Sequence, residues 1–229
     1  MRRVGLIFVF AVWFPVVSVA QTKPKPRPIP AGVPVKATGV EAYGGSVEGR
    51  TYRNGKFFFE VSVPDDWYIA GPDFEKVVKE NGFDLSLDMP AYTALKPATT
   101  AAKPIRKVDI LMTAFRSDPE SKGNAVLRVA VEDLKPNPQI KDAVDYFDAI
   151  TAAYMSIKLP PDFKYSATKA EKLGPKQFAY LDTSSNAGKK RMYATVRNGF
   201  AIMFILSYTS DKDVETLRRI LATGNFALK

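Results

Sequence analysis

The chain contains no cysteine and no histidine among its 229 residues. Without cysteine it can form no disulfide and offers no lipid attachment site, so the core alone must stabilise the fold. Without histidine it also lacks the Ser-His-Asp triad, the Cys-His pair and the ordinary zinc site. Serine-lysine, paired-carboxylate and hard-metal chemistry are the catalytic classes that remain.

The segment Ser184 to Lys190 brings Ser184, Ser185, Lys189 and Lys190 together around Asn186-Ala187-Gly188. This composition is typical of a hairpin loop, and the chain has no Ser-X-X-Lys on a predicted helix and no Gly-X-Ser-X-Gly elbow. Gly188-Lys189 resembles the end of a phosphate-binding loop, but Thr183 stands where the first glycine belongs. We therefore predict a turn here and no nucleophile.

Two groups of carboxylates are candidates for chemistry. Asp65-Asp66 beside Trp67 has the composition of a sugar-cleaving site, but neighbouring turn residues point apart, and Pro64-Asp65-Asp66 is typical of a strand end. A second group, spaced by three along a predicted helix, consists of Asp142, Asp145 and Asp148. It predicts a solvated acidic stripe, since no twelve-residue calcium loop is present. We predict no catalytic residue, no metal site and no cofactor.

Long apolar runs are missing after the N-terminal segment. Residues 1–20 combine Arg2-Arg3, an uncharged stretch and the small-residue end Ser18-Val19-Ala20, which predicts a secretory signal cleaved after Ala20. A retained membrane anchor is the alternative, although the stretch is short and contains Pro15. With no glycosylation sequon, export from a bacterium is the simplest setting, and we predict a secreted or periplasmic protein.

The net charge of +9 is concentrated near the N-terminus. Residues 21–36 carry Lys23, Lys25, Arg27 and Lys36, no acid and five prolines, so residues 21–49 are predicted to be a basic linker and lead-in. A stiff solvated spacer is favoured, and an arm that binds an anionic surface or an acidic partner is the alternative. Because the remaining chain is nearly balanced in charge, a nucleic-acid partner is not expected.

The strongest folding signal runs from Tyr52 to Trp67. Phe57, Phe59, Val61 and Val63 recur at every second position and predict one buried face of a strand. Arg53-Asn54-Gly55-Lys56 predicts a type I′ reversal before it. Phe58 belongs to the opposite face, where it is either covered within the fold or turned towards a partner.

Later segments alternate between strand and helix signals. A short helix is predicted over residues 73–81 and a mobile insertion near 84–107. The remaining predicted elements are strands at 108–115 and 125–131, a helix from Asn137-Pro138 to about Lys158, strands at 163–172, 177–183, 191–197 and 200–208, a helix capped by Ser210 and stopped by Gly224, and a short strand at 225–228.

Four features of the chain together resemble the PsbP-like family. They are the early run Tyr-X-Asn-Gly-X-Phe-Phe-Phe-X-Val-X-Val-Pro-Asp-Asp-Trp, the Asn198-Gly199 hairpin, the strand 200–208 and the Ser-Asp-Lys-Asp helix ending before Phe226. The fold is shared with the Ran-binding nuclear-import factor of yeast. The resemblance covers roughly residues 50–229 and implies one α+β domain. In that fold a curved antiparallel β-sheet is flanked by helices as an α/β/α sandwich, and a helix would cover Phe58.

The resemblance also implies docking or assembly and no enzymatic activity. Photosynthetic members of the family are proposed to use charged and histidine residues near manganese or chloride, and a chain without histidine does not inherit that role. We predict a secreted or periplasmic non-enzymatic binding or assembly module whose partner is an envelope protein or anionic surface. Candidate interaction residues are Lys23, Lys25, Arg27 and Phe58. A carboxylate-dependent envelope hydrolase or sugar-binding protein, and anionic-surface binding through the tail, are the alternatives.

Overall fold

The computed structural model describes residues 35–36, 43, 45–70, 89–90, 105–106, 108–117, 121, 123–186 and 188–227. The predicted signal segment, most of the basic linker with Lys23, Lys25 and Arg27, and the predicted helix at 73–81 lie outside these residues. So does most of the predicted insertion at 84–107, of which two short paired strands are described.

The described residues form fourteen strands and two helices. They are β1 (Val35–Lys36), β2 (Gly45–Glu48), β3 (Thr51–Asn54), β4 (Phe59–Ser62), β5 (Tyr68–Ile69), β6 (Met89–Pro90), β7 (Ile105–Arg106), β8 (Val108–Phe115), β9 (Val126–Asp133), α1 (Ala143–Met155), β10 (Lys164–Tyr165), β11 (Lys169–Leu173), β12 (Lys176–Ser185), β13 (Gly188–Arg197), β14 (Phe200–Tyr208) and α2 (Asp211–Thr223).

The main sheet is antiparallel throughout, with strand order β10-β12-β13-β14-β9-β8-β5 and β11 paired to β12. β14 lies at its centre, and its run Ala201 to Leu206 is buried on both sides. A central strand reads as a continuous apolar run when both faces of its sheet are covered. The sheet therefore separates two cores.

One core lies between the sheet and α1. The helix contributes Tyr146, Phe147, Ile150 and Tyr154, which pack on the strand residues Ala179, Leu181, Met192, Ala194, Met203 and Ile205. The hydroxyl of Tyr146 donates to the buried Glu132 carboxylate at 2.8 Å. Because a buried charge is costly without a partner, this hydrogen bond helps to explain how Glu132 is tolerated inside the core.

The other core lies between the sheet, α2 and a separate antiparallel sheet of β1, β2, β3 and β4. α2 buries Val214, Leu217, Ile220 and Leu221 against this core, as its periodicity predicted. An antiparallel sheet with a helix on each face confirms the predicted α+β class. The additional small sheet was not predicted, and in it β4 is bridged at Glu60 to Asn225.

The alternating apolar residues of the opening segment are buried together, as predicted. Phe57, Phe59, Val61 and Val63 each have 4% or less of their surface exposed and belong to the same core. Phe57 nevertheless precedes the strand, because β4 begins only at Phe59. Its ring reaches the core from a turn.

The predicted type I′ reversal at Asn54-Gly55 is wrong. The turn that joins β3 to β4 spans residues 55–58, and its left-handed residue is Phe58, with φ of 55°. The Asn54 side chain is buried, donates to the Tyr52 hydroxyl at 2.9 Å and accepts from the Phe57 amide at 3.0 Å. These contacts hold Asn54 in β3 and move the centre of the reversal to residues 56 and 57.

Phe58 therefore lies in a turn, and the predicted strand position is wrong. Its ring is covered by the Arg197 guanidinium, 5.1 Å from the ring centroid. Arg197 also donates to the carbonyl oxygens of Phe58 at 3.0 Å and Phe226 at 3.1 Å. An arginine takes the place of the helix that the resemblance implied.

The predicted helix start at Asn137-Pro138 is also wrong, because those residues form turns. α1 begins after Asp142, whose carboxylate accepts from the backbone amides of Val144 at 2.8 Å and Asp145 at 2.9 Å. An aspartate at this position satisfies amides that have no partner within the helix. The cap by Asp142 therefore determines where α1 begins, and the Asn137-Pro138 pattern does not.

In the last third the strand ends differ from the prediction. The predicted strand at 163–172 is replaced by two strands, β10 and β11. Of the predicted strand at 225–228 the structure describes residues 225–227, which contain an isolated bridge at Asn225 and no strand. The Asn198-Gly199 reversal is confirmed, with φ of 52° and 76°. The cap of α2 by Ser210 is confirmed too, with Asp213 completing a capping box.

Candidate functional site

A pocket of about 580 Å³ opens on the α1 side of the main sheet, beyond the C-terminal end of that helix. This volume lies within the roughly 300–1,000 Å³ of small-molecule sites. Its lining combines an apolar part from α1, the following loop and two strands with a polar part that includes three strand ends. The lining residues are Gly123, Asn124, Tyr154, Ile157, Leu159, Pro160, Phe163, Thr183, Ser184, Ser185, Gly188, Lys189, Lys190, Met192, Ile205, Ser207, Tyr208 and Thr209.

The apolar part has a floor and a wall. Met192 of β13 and Ile205 of β14 are direct cross-strand partners and form the floor. Tyr154 and Phe163 form the wall, with their ring centroids 5.3 Å apart in an edge-to-face arrangement. Such surfaces bind the apolar body of a ligand, since aromatic and aliphatic side chains dominate small-molecule sites.

The polar part is a row of three side chains on adjacent strands. Thr183 of β12 pairs with Lys190 of β13, and Lys190 pairs with Ser207 of β14. Side chains two residues apart on a strand share a face, so the three point to the same side as Leu181, Met192 and Ile205. Directly opposite residues in antiparallel strands have Cβ atoms about 4.5–5.5 Å apart. The Lys190 side chain therefore leaves the sheet between the side chains of Thr183 and Ser207.

The charge of Lys190 is unbalanced. No carboxylate pairs with its ammonium group among the residues that the structure describes. Desolvation, followed by the positive charge of Arg128, lowers the pKa of Lys190 from its ordinary value. Both effects disfavour the ammonium form, although the residue as a whole remains exposed at the pocket mouth.

Local backbone contacts hold the two parts of the pocket together. α1 ends at Met155, where the Ser156 amide donates to the Ala153 carbonyl at 3.1 Å, and Pro160-Pro161 prevents the helix from continuing. The chain then turns, and the Asp162 carboxylate accepts from the Asn186 amide at 2.6 Å. This hydrogen bond joins the loop after α1 to the tip of the β12–β13 hairpin.

The predicted loop at residues 184–190 is shorter than expected. β12 continues to Ser185 and β13 starts at Gly188, which are partners in register. The extended strands carry Ser184, Ser185, Lys189 and Lys190 into the pocket lining, whereas the sequence suggested a plain turn. The alternation Thr183-X-Ser185 and Lys190-X-Met192 could have indicated which side chains share a face. The register that aligns the two strands could not be predicted from the sequence.

The carboxylates considered for chemistry do not converge. Asp65 and Asp66 lie exposed in the turn between β4 and β5. In the acidic stripe of α1, Asp142 caps the helix, Asp145 accepts from the Lys141 amide at 2.8 Å, and Asp148 accepts from the Thr168 hydroxyl at 2.6 Å. All three are exposed as predicted, and each has a local structural role.

A second polar network lies on the opposite face of the sheet. Arg191 donates to Asp182 through two nitrogens, at 2.6 and 2.7 Å, and stacks on the Tyr180 ring at 4.5 Å. The Tyr193 hydroxyl donates to Glu171 at 2.5 Å. Burial raises the pKa of Tyr193, and the hydrogen bond to the Glu171 carboxylate raises it further. Its charges are paired, which is typical of a structural network.

The described residues contain neither a membrane-spanning helix nor a cluster of metal ligands. No helix within these ranges is long and apolar enough to cross a membrane. No group of three or more acidic side chains in the same part of the chain could hold a metal ion.

These features define an α+β domain whose main sheet carries a helix on each face and an amphipathic pocket at one helix end. No protein-family model matches the chain, and no curated protein matches it in sequence. Among solved structures it is similar to the solution structure of cyanobacterial PsbP (CyanoP) from Synechocystis. The two are 14% identical, with 76% of this chain and 88% of that chain covered and a TM-score of 0.40. That structure belongs to the family that the sequence resembles, and the similarity concerns the fold alone.

Proposed function

We propose that this protein is a secreted or periplasmic, non-enzymatic binding module, and that the pocket beyond α1 binds a small molecule with an apolar body. The observation that carries the proposal is the convergence of the apolar surface of Tyr154, Phe163, Met192 and Ile205 in a concave site of about 580 Å³. A concave site favours a small ligand, whereas a flat apolar patch would favour a protein partner.

The non-enzymatic part of the proposal is supported by the chemistry of the lining. The side chains that line the pocket carry hydroxyls, lysine ammonium groups, the Asn124 carboxamide and apolar groups. No carboxylate lines this pocket, so of the side chains that general acid and base catalysis commonly uses only lysine and tyrosine line it. Binding therefore accounts for the site more simply than turnover does.

The proposal is tested by thermal unfolding of the full-length chain in increasing concentrations of 1-octanol. A ligand that binds only the native state raises the midpoint temperature with its concentration. We expect such a rise for the wild type and its loss in Ser207→Trp, where the indole occupies the pocket mouth.

The matched control is Gln177→Trp, which adds the same side chain at an exposed position of β12 outside the pocket. It should keep the wild-type response. If octanol leaves the midpoint unchanged, or if both variants respond as the wild type does, the pocket is not a binding site for apolar molecules.

A further inference from the structure

The polar row at the pocket mouth determines what kind of head group the ligand can carry. Lys190 contributes three N–H donors, and the hydroxyls of Thr183 and Ser207 stand on either side of it across the strands. Neither hydroxyl has a hydrogen-bond partner within the part of the chain that the structure describes. The row therefore presents up to five donor hydrogens and a positive charge.

The apolar floor of Met192 and Ile205 lies two residues further from the strand ends than the polar row does. Met192 follows Lys190 by two positions in β13, and Ile205 precedes Ser207 by two in β14. Residues two apart in a strand are about 6.5–7 Å from each other. A ligand lying along the strands would therefore place its head group on the polar row and its body on the apolar floor.

We propose that this head group is an anion, held by the Lys190 ammonium group between the Thr183 and Ser207 hydroxyls, so that the ligand is a small amphiphilic anion. This inference rests on the proposed function of the pocket. A carboxylate or phosphate oxygen accepts hydrogen bonds from all three groups, whereas a cationic head group would be repelled by Lys190. Arg128 pairs with Ile205 across β9 and β14 and so lies on the same face, where its positive charge acts on Lys190.

An anion would also supply the negative counter-charge that the Lys190 ammonium group lacks. A partly desolvated ammonium group without a counter-ion is destabilised, and the nearby Arg128 adds repulsion. A bound anion offsets both effects, because its negative charge favours the ammonium form and its oxygens accept charge-assisted hydrogen bonds. Solvation of Lys190 at the surface is the alternative, and it predicts no preference among head groups.

Three probes with the same apolar body separate these outcomes: octanoate, 1-octanol and octylammonium. Their dissociation constants for the full-length chain are measured by isothermal titration calorimetry at pH 7 and low salt. We expect octanoate to bind about tenfold or more tightly than octanol, and octylammonium to bind most weakly. In Lys190→Met the advantage of octanoate over octanol should disappear, while octanol binding stays the same.

Two further variants keep the test specific. Lys190→Arg retains the charge and should retain the preference for octanoate. Lys172→Met removes the same charge from an exposed position of β11 outside the pocket and should leave all three constants unchanged. Circular dichroism spectra and unfolding midpoints show that each variant is folded.

Equal affinity of the wild type for octanoate and octanol would overturn the anionic head group and leave the proposed function intact. A preference for octanoate that persists in Lys190→Met would likewise overturn the role of Lys190 in binding an anionic head group. Absence of binding by all three probes would overturn the proposed function together with this inference.

Discussion

Asp213, which is buried near the start of α2, uses its two carboxylate oxygens for two different contacts. One oxygen accepts from the Arg116 guanidinium, and the other accepts from the Ser210 amide at 3.3 Å, which closes the capping box. Arg116 also donates to the Gly123 carbonyl at 2.8 Å. The start of α2 is thereby fastened to the connection between β8 and β9.

Replacing Asp213 with alanine should lower the free energy of unfolding by about 2–4 kcal/mol. The variant loses the Asp213 half of the capping box and leaves Arg116 without its carboxylate partner, and each effect is destabilising. Urea unfolding measures the change. Asp211→Ala, in the same helical turn but exposed, should cost under about 1 kcal/mol. Equal losses in the two variants would show that the contact with Arg116 contributes nothing.

Alkaline pH should destabilise the protein through Tyr52. Burial raises the pKa of Tyr52 to about 12, from 10.0 in an exposed tyrosine. Since the pKa is higher in the folded state, the stability contribution is complete below pH 10 and is lost as pH rises towards 12. A difference of two pKa units corresponds to about 2–3 kcal/mol. The pKa values of Tyr43 and Tyr193 are raised too, with the same sign.

The check is the free energy of unfolding in urea between pH 8 and pH 11. Tyr52→Phe should be less stable than the wild type at pH 8, because it loses the hydrogen bond from Asn54, but should lose less stability as pH rises. Tyr68→Phe, at an exposed site, should follow the wild-type curve. Parallel curves for wild type and Tyr52→Phe would contradict the assignment.

The turn between β11 and β12 depends on Gly174. Its φ is +58°, and a Cβ atom there would lie 2.3 Å from the Ala222 carbonyl oxygen of α2. Gly174→Ala should therefore destabilise the fold by more than Gly199→Ala. Gly199 has φ of +76° but open space around it, so its replacement costs only the backbone strain, about 1 kcal/mol. Similar losses in the two variants would show that α2 shifts to accommodate the methyl group.

The basic linker of residues 21–36 remains a candidate for binding an anionic surface. Its Lys23, Lys25 and Arg27 should attract vesicles containing phosphatidylglycerol, and the attraction should weaken steeply between 20 mM and 500 mM salt because of screening, about 10 Å in range at 0.1 M. Co-sedimentation measures the bound fraction. Unchanged binding after deletion of residues 21–36 would assign the interaction elsewhere.

Contacts between near neighbours in the chain could be predicted from the sequence. The Asn198-Gly199 reversal and the Ser210 capping box each involve residues within three positions of one another, and both are confirmed. The buried face from Phe57 to Val63 follows from alternation alone. Such features are determined locally, so one sequence is enough to predict them.

Features that depend on long-range packing were missed. Asn54 leaves its predicted turn, and its side chain donates to the carbonyl of Tyr43, eleven positions earlier in the chain, at 3.1 Å. The pocket was missed for a similar reason. Its polar row exists only when three strands align Thr183, Lys190 and Ser207, and its wall exists only because α1 ends above them. Neither the register nor the helix position could be derived from composition or spacing.

Ligand binding in the pocket is tested most directly by titrating the ¹⁵N-labelled full-length chain with octanoate and following the amide signals by NMR. We predict that the largest amide shifts map to the pocket, with Lys190, Met192 and Ile205 among them, and that Asp65 and Glu215, on exposed surfaces outside it, do not respond. Saturable shifts centred on the pocket would support a ligand-binding module. Shifts centred elsewhere, or no saturable shift at all, would contradict it.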